Sequence, residues 1–273
     1  MKSRNKKNGG ENALVIIITL IVVASCSLSI TYALQSASLG EQENTFTTAA
    51  NITIVLTEEE WDGKDTKGTT KPGMTDAEKN ALGENIAKKY LPGQEIPKNP
   101  HITNTSENDV CMAMTAEFTA TFTADSGTET TYKFKSYNDF AAAIAKATSF
   151  DAGWTHRTGT LGNGLEVYYY NTKVAASAKT NNLFSSITLN SFSATSGNYT
   201  FTIPDGSWLV NGDTLTAIGA TATTVTTKYL PKFEIKLKGY AVQAEGLSDN
   251  SGNIINDGKI ALDNLIKSAN GIS

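Results

Sequence analysis

Met112-Ala113-Met114-Thr115-Ala116-Glu117-Phe118-Thr119-Ala120-Thr121-Phe122-Thr123-Ala124 decides how the rest of the chain is read. Met112, Met114, Ala116, Phe118, Ala120, Phe122 and Ala124 share one parity, and Thr115, Glu117, Thr119, Thr121 and Thr123 share the other. A helix would scatter those apolar groups around its surface, whereas a strand sends alternate side chains to opposite faces. The stretch is therefore a long strand with one buried and one wet face, as in an antiparallel sheet. Asp125-Ser126-Gly127 turns the chain, and Tyr132 and Phe134 carry the apolar parity into a partner strand.

The same alternation recurs outward in both directions. Ile52, Ile54 and Leu56 alternate with Thr53, Val55 and Thr57. Leu165–Tyr170, Ile187–Leu189, Tyr199–Ile203, Thr223–Thr227 and Phe233–Lys238 read as further strands, the last running past Gly239, a bulge candidate, into Tyr240–Ala244. Helical patterns are few. Thr75-Asp76-Ala77-Glu78 is a capping box, predicting a helix to about Lys89 that ends at Leu91-Pro92-Gly93. Asn138–Thr148 is a second, alanine-rich one with Phe140 and Ile144 at helical spacing. Short strands between Gly, Asn and Asp turns, without strand–helix alternation, predict an all-β, jelly-roll-like antiparallel β-sandwich with two short helical insertions. Threonine supplies 37 of 273 residues, which suits exposed sheet faces.

The first 33 residues read differently. Lys2, Arg4, Lys6 and Lys7 precede an apolar run from Leu14 to Val23, and small residues lead to Thr31-Tyr32-Ala33. Basic, apolar and small-residue regions in that order describe a signal peptide over residues 1–33, cleaved after Ala33. Two other readings stay open: residues 13–33 are long enough to remain as an uncut anchor, and Val23-Ala24-Ser25-Cys26 matches a lipidation site at Cys26. On the first reading the membrane is met only through residues 14–33 before cleavage. Residues 34–246 then form the sandwich domain, led by an arm over 34–49. Residues 247–273 read as a polar C-terminal tail, with Ile260, Leu265 and Ile266 able to line a short helix.

Removal of residues 1–33 leaves 19 Lys and Arg against 26 Asp and Glu. A net charge of −7 offers no footprint for nucleic acid. The mature chain keeps one thiol, Cys111, within the alternating run, so it reads as buried and inert.

Three separated blocks resemble the TasA and camelysin family, whose members are exported by a dedicated signal peptidase usually called SipW. The first is Thr31-Tyr32-Ala33 followed by Asn44-Thr-Phe-Thr-Thr-Ala-Ala-Asn51 and Ile52-Thr-Ile-Val-Leu-Thr-Glu-Glu-Glu-Trp-Asp62. The second is Leu91-Pro-Gly-Gln-Glu-Ile-Pro-Lys-Asn-Pro-His-Ile-Thr-Asn-Thr-Ser-Glu-Asn-Asp109. The third gathers Trp154, Tyr168-Tyr169-Tyr170-Asn171, Leu183-Phe184 and Phe233–Gly246 with Ala241-Val-Gln-Ala244. Ala50 stands where a Gly is usual, and Cys111 and Ala113 where Tyr and Arg are common. The resemblance implies a secreted protein of a Gram-positive bacterium, found in the extracellular matrix or at the cell surface. It further implies a structural subunit of biofilm matrix fibres, whose partner is itself: the arm from Leu34 to about Ala49 adds as a strand to the next subunit.

Camelysin-like relatives imply an alternative, a surface metalloendopeptidase. A catalytic zinc takes about three protein ligands. This chain has only His101 and His156, far apart, which read as two lone surface histidines, with no His-Glu-x-x-His helix. A membrane-anchored or lipidated adhesin is the third reading. Gly159-Thr-Leu-Gly162-Asn-Gly164 is a hairpin turn rather than a phosphate loop, and Asp249–Asp257 lacks the terminal Glu of a calcium loop. Tyr168–Tyr170 divides between core and surface, and Glu58-Glu59-Glu60 ends a strand. No catalytic, cofactor-binding or metal-ligating residue is assigned, and no cofactor.

Overall fold

A computed structural model describes residues 52–244 and 254–272. The arm, both cleavage and lipidation candidates, and Asp249–Asn253 lie outside those residues. The chain is an antiparallel β-sandwich with short helices.

In chain order the strands are β1 (Ile54–Thr57), β2 (Glu95–Pro97), β3 (His101–Asn104), β4 (Val110–Thr123), β5 (Glu129–Lys133), β6 (Ala145–Thr148), β7 (Trp154–His156), β8 (Glu166–Tyr170), β9 (Ser186–Leu189), β10 (Tyr199–Ile203), β11 (Trp208–Asn211), β12 (Thr214–Ala217), β13 (Thr223–Thr227) and β14 (Lys232–Gln243). Four short helices, α1 (Glu59–Asp62), α2 (Asp76–Asn80), α3 (Gly83–Ala87) and α4 (Tyr137–Ala143), interrupt them, and α5 (Ile254–Ala269) follows.

The diagnostic run is β4, the axis of a seven-stranded sheet ordered β12-β11-β5-β4-β8-β7, with β14 also on β4. One edge of β4 bonds β14 from Val110–Gln243 to Thr121–Lys232. The other edge is shared: β8 takes Ala113–Ala116 and β5 takes Thr119–Thr123. The sheet forks at Phe118, whose carbonyl accepts Phe134 N–H at 2.9 Å. Facing it are three smaller sheets, β1-β3, β2-β9-β6 and β10-β13. Met112, Met114, Phe118 and Phe122 meet Ile54, Ile102, Ile187 and Phe201 in one continuous core.

Several expectations need correction. The second face of β4 is not wet throughout: Cys111, Ala113 and Thr115 are buried. Cys111 and Ala113 lie with Val167, Tyr169, Tyr240 and Val242 in a second apolar layer closed by Leu262 and Ile266 of α5. That helix occupies 16 residues of the expected polar tail. Ile266 faces inward with Leu262 as its buried companion, and Ile260 points to solvent at 63% exposure. Gly239 is no bulge, since its ladder with Met114 is unbroken; Ile54 and Ile102 crowd the space a Cβ would fill.

The capping box at Thr75 forms, with Glu78 N–H on Thr75 Oγ1 at 3.2 Å and Thr75 N–H on Glu78 Oε2 at 2.7 Å. Its helix stops early, however, because Leu82 is extended and Gly83 restarts the chain as α3. A Cβ on Gly83 would sit 2.0 Å from the Pro97 carbonyl oxygen, so the restart depends on glycine. The alanine-rich segment is helical only to Ala143; Ala145–Thr148 pairs with β9 as β6.

Candidate functional site

Three places hold chemistry that packing alone does not require. The first lies where β1 runs into α1. Ile52, Ile54 and Leu56 face the core, and Glu58 continues their parity to a site 5% exposed rather than ending a strand in solvent. Its Oε2 contacts the Lys98 ammonium, itself 1% exposed. Lys98 Nζ stands 5.0 Å above the Trp61 ring, and Asn99 Oδ1 accepts Glu60 N–H at 2.9 Å. Burial pushes the Glu58 carboxyl up and the Lys98 amine down, each opposed by its partner. Glu58 Oε1 is buried without a hydrogen-bond partner. A cleft of about 590 Å³ opens nearby, lined by Glu59, Glu60, Lys64, Lys71, Met74 and Leu82 among others.

The second place is the fork. Glu166 on β8 is buried there, its Oε2 2.6 Å from His156 Nε2 and its Oε1 accepting Tyr137 N–H at 2.7 Å. His156 stacks on Tyr168 at 4.7 Å, and Phe150 stacks on Tyr168 at 5.5 Å. The carboxylate thus satisfies the first turn of α4 and orients an imidazole that is 43% exposed.

The histidine expectations divide. His156 is at the surface but has a carboxylate beside it, which linear spacing could not show. His101 is not a surface residue: it is 1% exposed, opposite Thr57 in the β1–β3 ladder. Its Nδ1 is 3.3 Å from the Asn99 carbonyl oxygen, its Nε2 has no partner, and burial pushes its pKa down. The two are not brought together, and no three His, Cys, Asp or Glu side chains converge among the described residues. Cys111 is a buried free thiol whose pKa burial raises. Of the three tyrosines, Tyr169 joins Val167 in the second layer as its parity predicts. Tyr168 is buried in the main core instead of exposed, and Tyr170 is half-buried against Trp154.

The third place is a pair of sheet edges. Among the described residues β12 pairs with β11 alone and β13 with β10 alone. Neither Thr214-Leu-Thr-Ala217 nor Thr223-Thr-Val-Thr-Thr227 carries a charge or a proline, and Thr214, Thr216, Thr224 and Thr226 are exposed. Two other edges are blunted, β2 by Glu95 and Pro97 and β6 by Lys146, whereas β1 and β10 are, like β12 and β13, without charge or proline. Sequence periodicity located β13 but passed over β12, whose four residues are too few for a pattern.

No family model and no curated protein matches the chain.

Proposed function

We propose that this protein is a secreted structural subunit of an extracellular matrix, assembling into fibres by strand addition between copies. The observation that carries this reading is the pair of uncharged, proline-free edges on β12 and β13. Such edges present unpaired backbone groups that an extended segment of another copy completes. The donor is the arm from Leu34 to about Ala49, where Thr45, Phe46, Thr47 and Thr48 suit a strand. A donor at one place and an acceptor at another make a head-to-tail contact, and such contacts grow into filaments when they do not close. The resemblance of the Asn44–Asp62 and Leu91–Asp109 blocks to TasA and camelysin supports the same reading.

Electron microscopy of chain 34–273 beside one lacking residues 34–49, and beside a Thr216→Lys/Thr224→Lys double variant, tests it. Filaments from the first, lost in both others, are expected. Filaments that survive both changes would remove strand donation to these edges, and a folded chain that never polymerises would remove the fibre reading.

A further inference from the structure

We propose that Glu58 and Lys98 condense into an amide, a covalent tie between the end of β1 and the segment joining β2 to β3. In that step Lys98 Nζ attacks Glu58 Cδ, the C–N bond forms and one Cδ–O bond breaks. The carboxyl hydroxyl leaves with one amine hydrogen as water. Nothing is oxidised or reduced, and no co-reactant is consumed.

Four observations converge on this pair. Amine and carboxyl are already in contact, at 1% and 5% exposure, so bulk water neither separates them nor hydrolyses the product. Their backbones are fixed: Lys98 N–H bonds the Ser185 carbonyl at 3.2 Å, and Glu60 N–H bonds Asn99 Oδ1 at 2.9 Å, so contact needs no search. Glu58 Oε1 has no hydrogen-bond partner, and condensation removes one carboxyl oxygen and with it the surplus acceptor. The Trp61 ring, 5.0 Å from Nζ, closes the apolar side.

Protonation is favourable as well. Amide formation needs a neutral acid and a neutral amine, and burial moves both groups that way. The charge of Asp62, four residues beyond Glu58, adds to the rise of the Glu58 carboxyl, while Asp62 and Glu234 oppose the fall of the Lys98 amine that burial brings about. Lys133–Glu117, another close pair, lacks this setting, since Glu117 keeps 29% exposure. The tie would close a 40-residue loop containing α1, α2, α3 and β2, restraining a segment whose one strand is three residues long.

The test is tryptic digestion of the denatured full chain, read by mass spectrometry. The expected product is the peptide ending at Lys64 joined to the peptide beginning at Tyr90, lighter than their sum by one water, with no cleavage after Lys98. Lys98→Arg keeps the charge but abolishes the joined species. Recovery from the natural chain of a linear peptide ending at Lys98, alongside a linear peptide with a free Glu58, would overturn the proposal. The digest of the natural chain is sufficient by itself, whether or not a variant folds.

Discussion

His101 shows what one buried titratable ring does to the whole. Its imidazole is 1% exposed, and burial holds its pKa below the ordinary 6.5. The unfolded chain therefore takes up a proton at a higher pH than the folded one does. By linkage, stability rises with pH wherever the unfolded state binds more protons, so it is lost as pH falls through about 6.5 toward the folded value. Thermal melts between about pH 7 and pH 5 should show a falling midpoint, and His101→Gln should flatten that slope. An unchanged slope in the variant would place the dependence on other groups.

Among the elements, α5 has the most to lose. Leu262 and Ile266 are its inward anchors, and Asp263 bonds both the Tyr169 hydroxyl and Arg157 Nε, the latter at 3.1 Å. Asn270 Nδ2 donates to the Tyr240 hydroxyl at 3.1 Å. Ile266→Ala should cost about 2–5 kcal/mol, whereas Ile260→Ala on the exposed face should stay within about 0.5 kcal/mol. Cys111, beneath this helix, gives a second readout: Ile266→Ala should accelerate its alkylation in the folded chain, and Ile260→Ala should not. Equal rates in both would mean that the thiol is reached by another route.

The elements also show how far a sequence can be read. The parity of Met112–Ala124 named the sheet and its core, since period two over thirteen residues has no helical rival. What covers the second face was not legible, because a threonine-rich parity looks wet until a distant helix lies on its alanine and cysteine end. Gly83 broke a well-capped helix through the Pro97 carbonyl, a contact between segments that no local propensity encodes. Glu58 was legible and missed: it keeps step with Ile52, Ile54 and Leu56, but two further glutamates disguised that parity. Glu166 and His156 meet only because β7 and β8 pair, so their spacing along the chain carries no hint of it.

At the scale of the molecule, the β4–β14 ladder sets how the protein bears load. Its register runs unbroken over twelve residue pairs, from Val110–Gln243 to Thr121–Lys232. Force applied at Asp109 and Lys232, at opposite ends, draws the two strands past each other and strains every rung together. Force applied at Ala124 and Lys232, at one end, peels the rungs one after another. Single-molecule pulling with handles at these two pairs of positions should give a clearly higher rupture force for the first geometry, and equal forces would show that another element yields first. A fibre strung so that tension follows the long strands would be stiff along its length and weak to sideways peeling, as rope is.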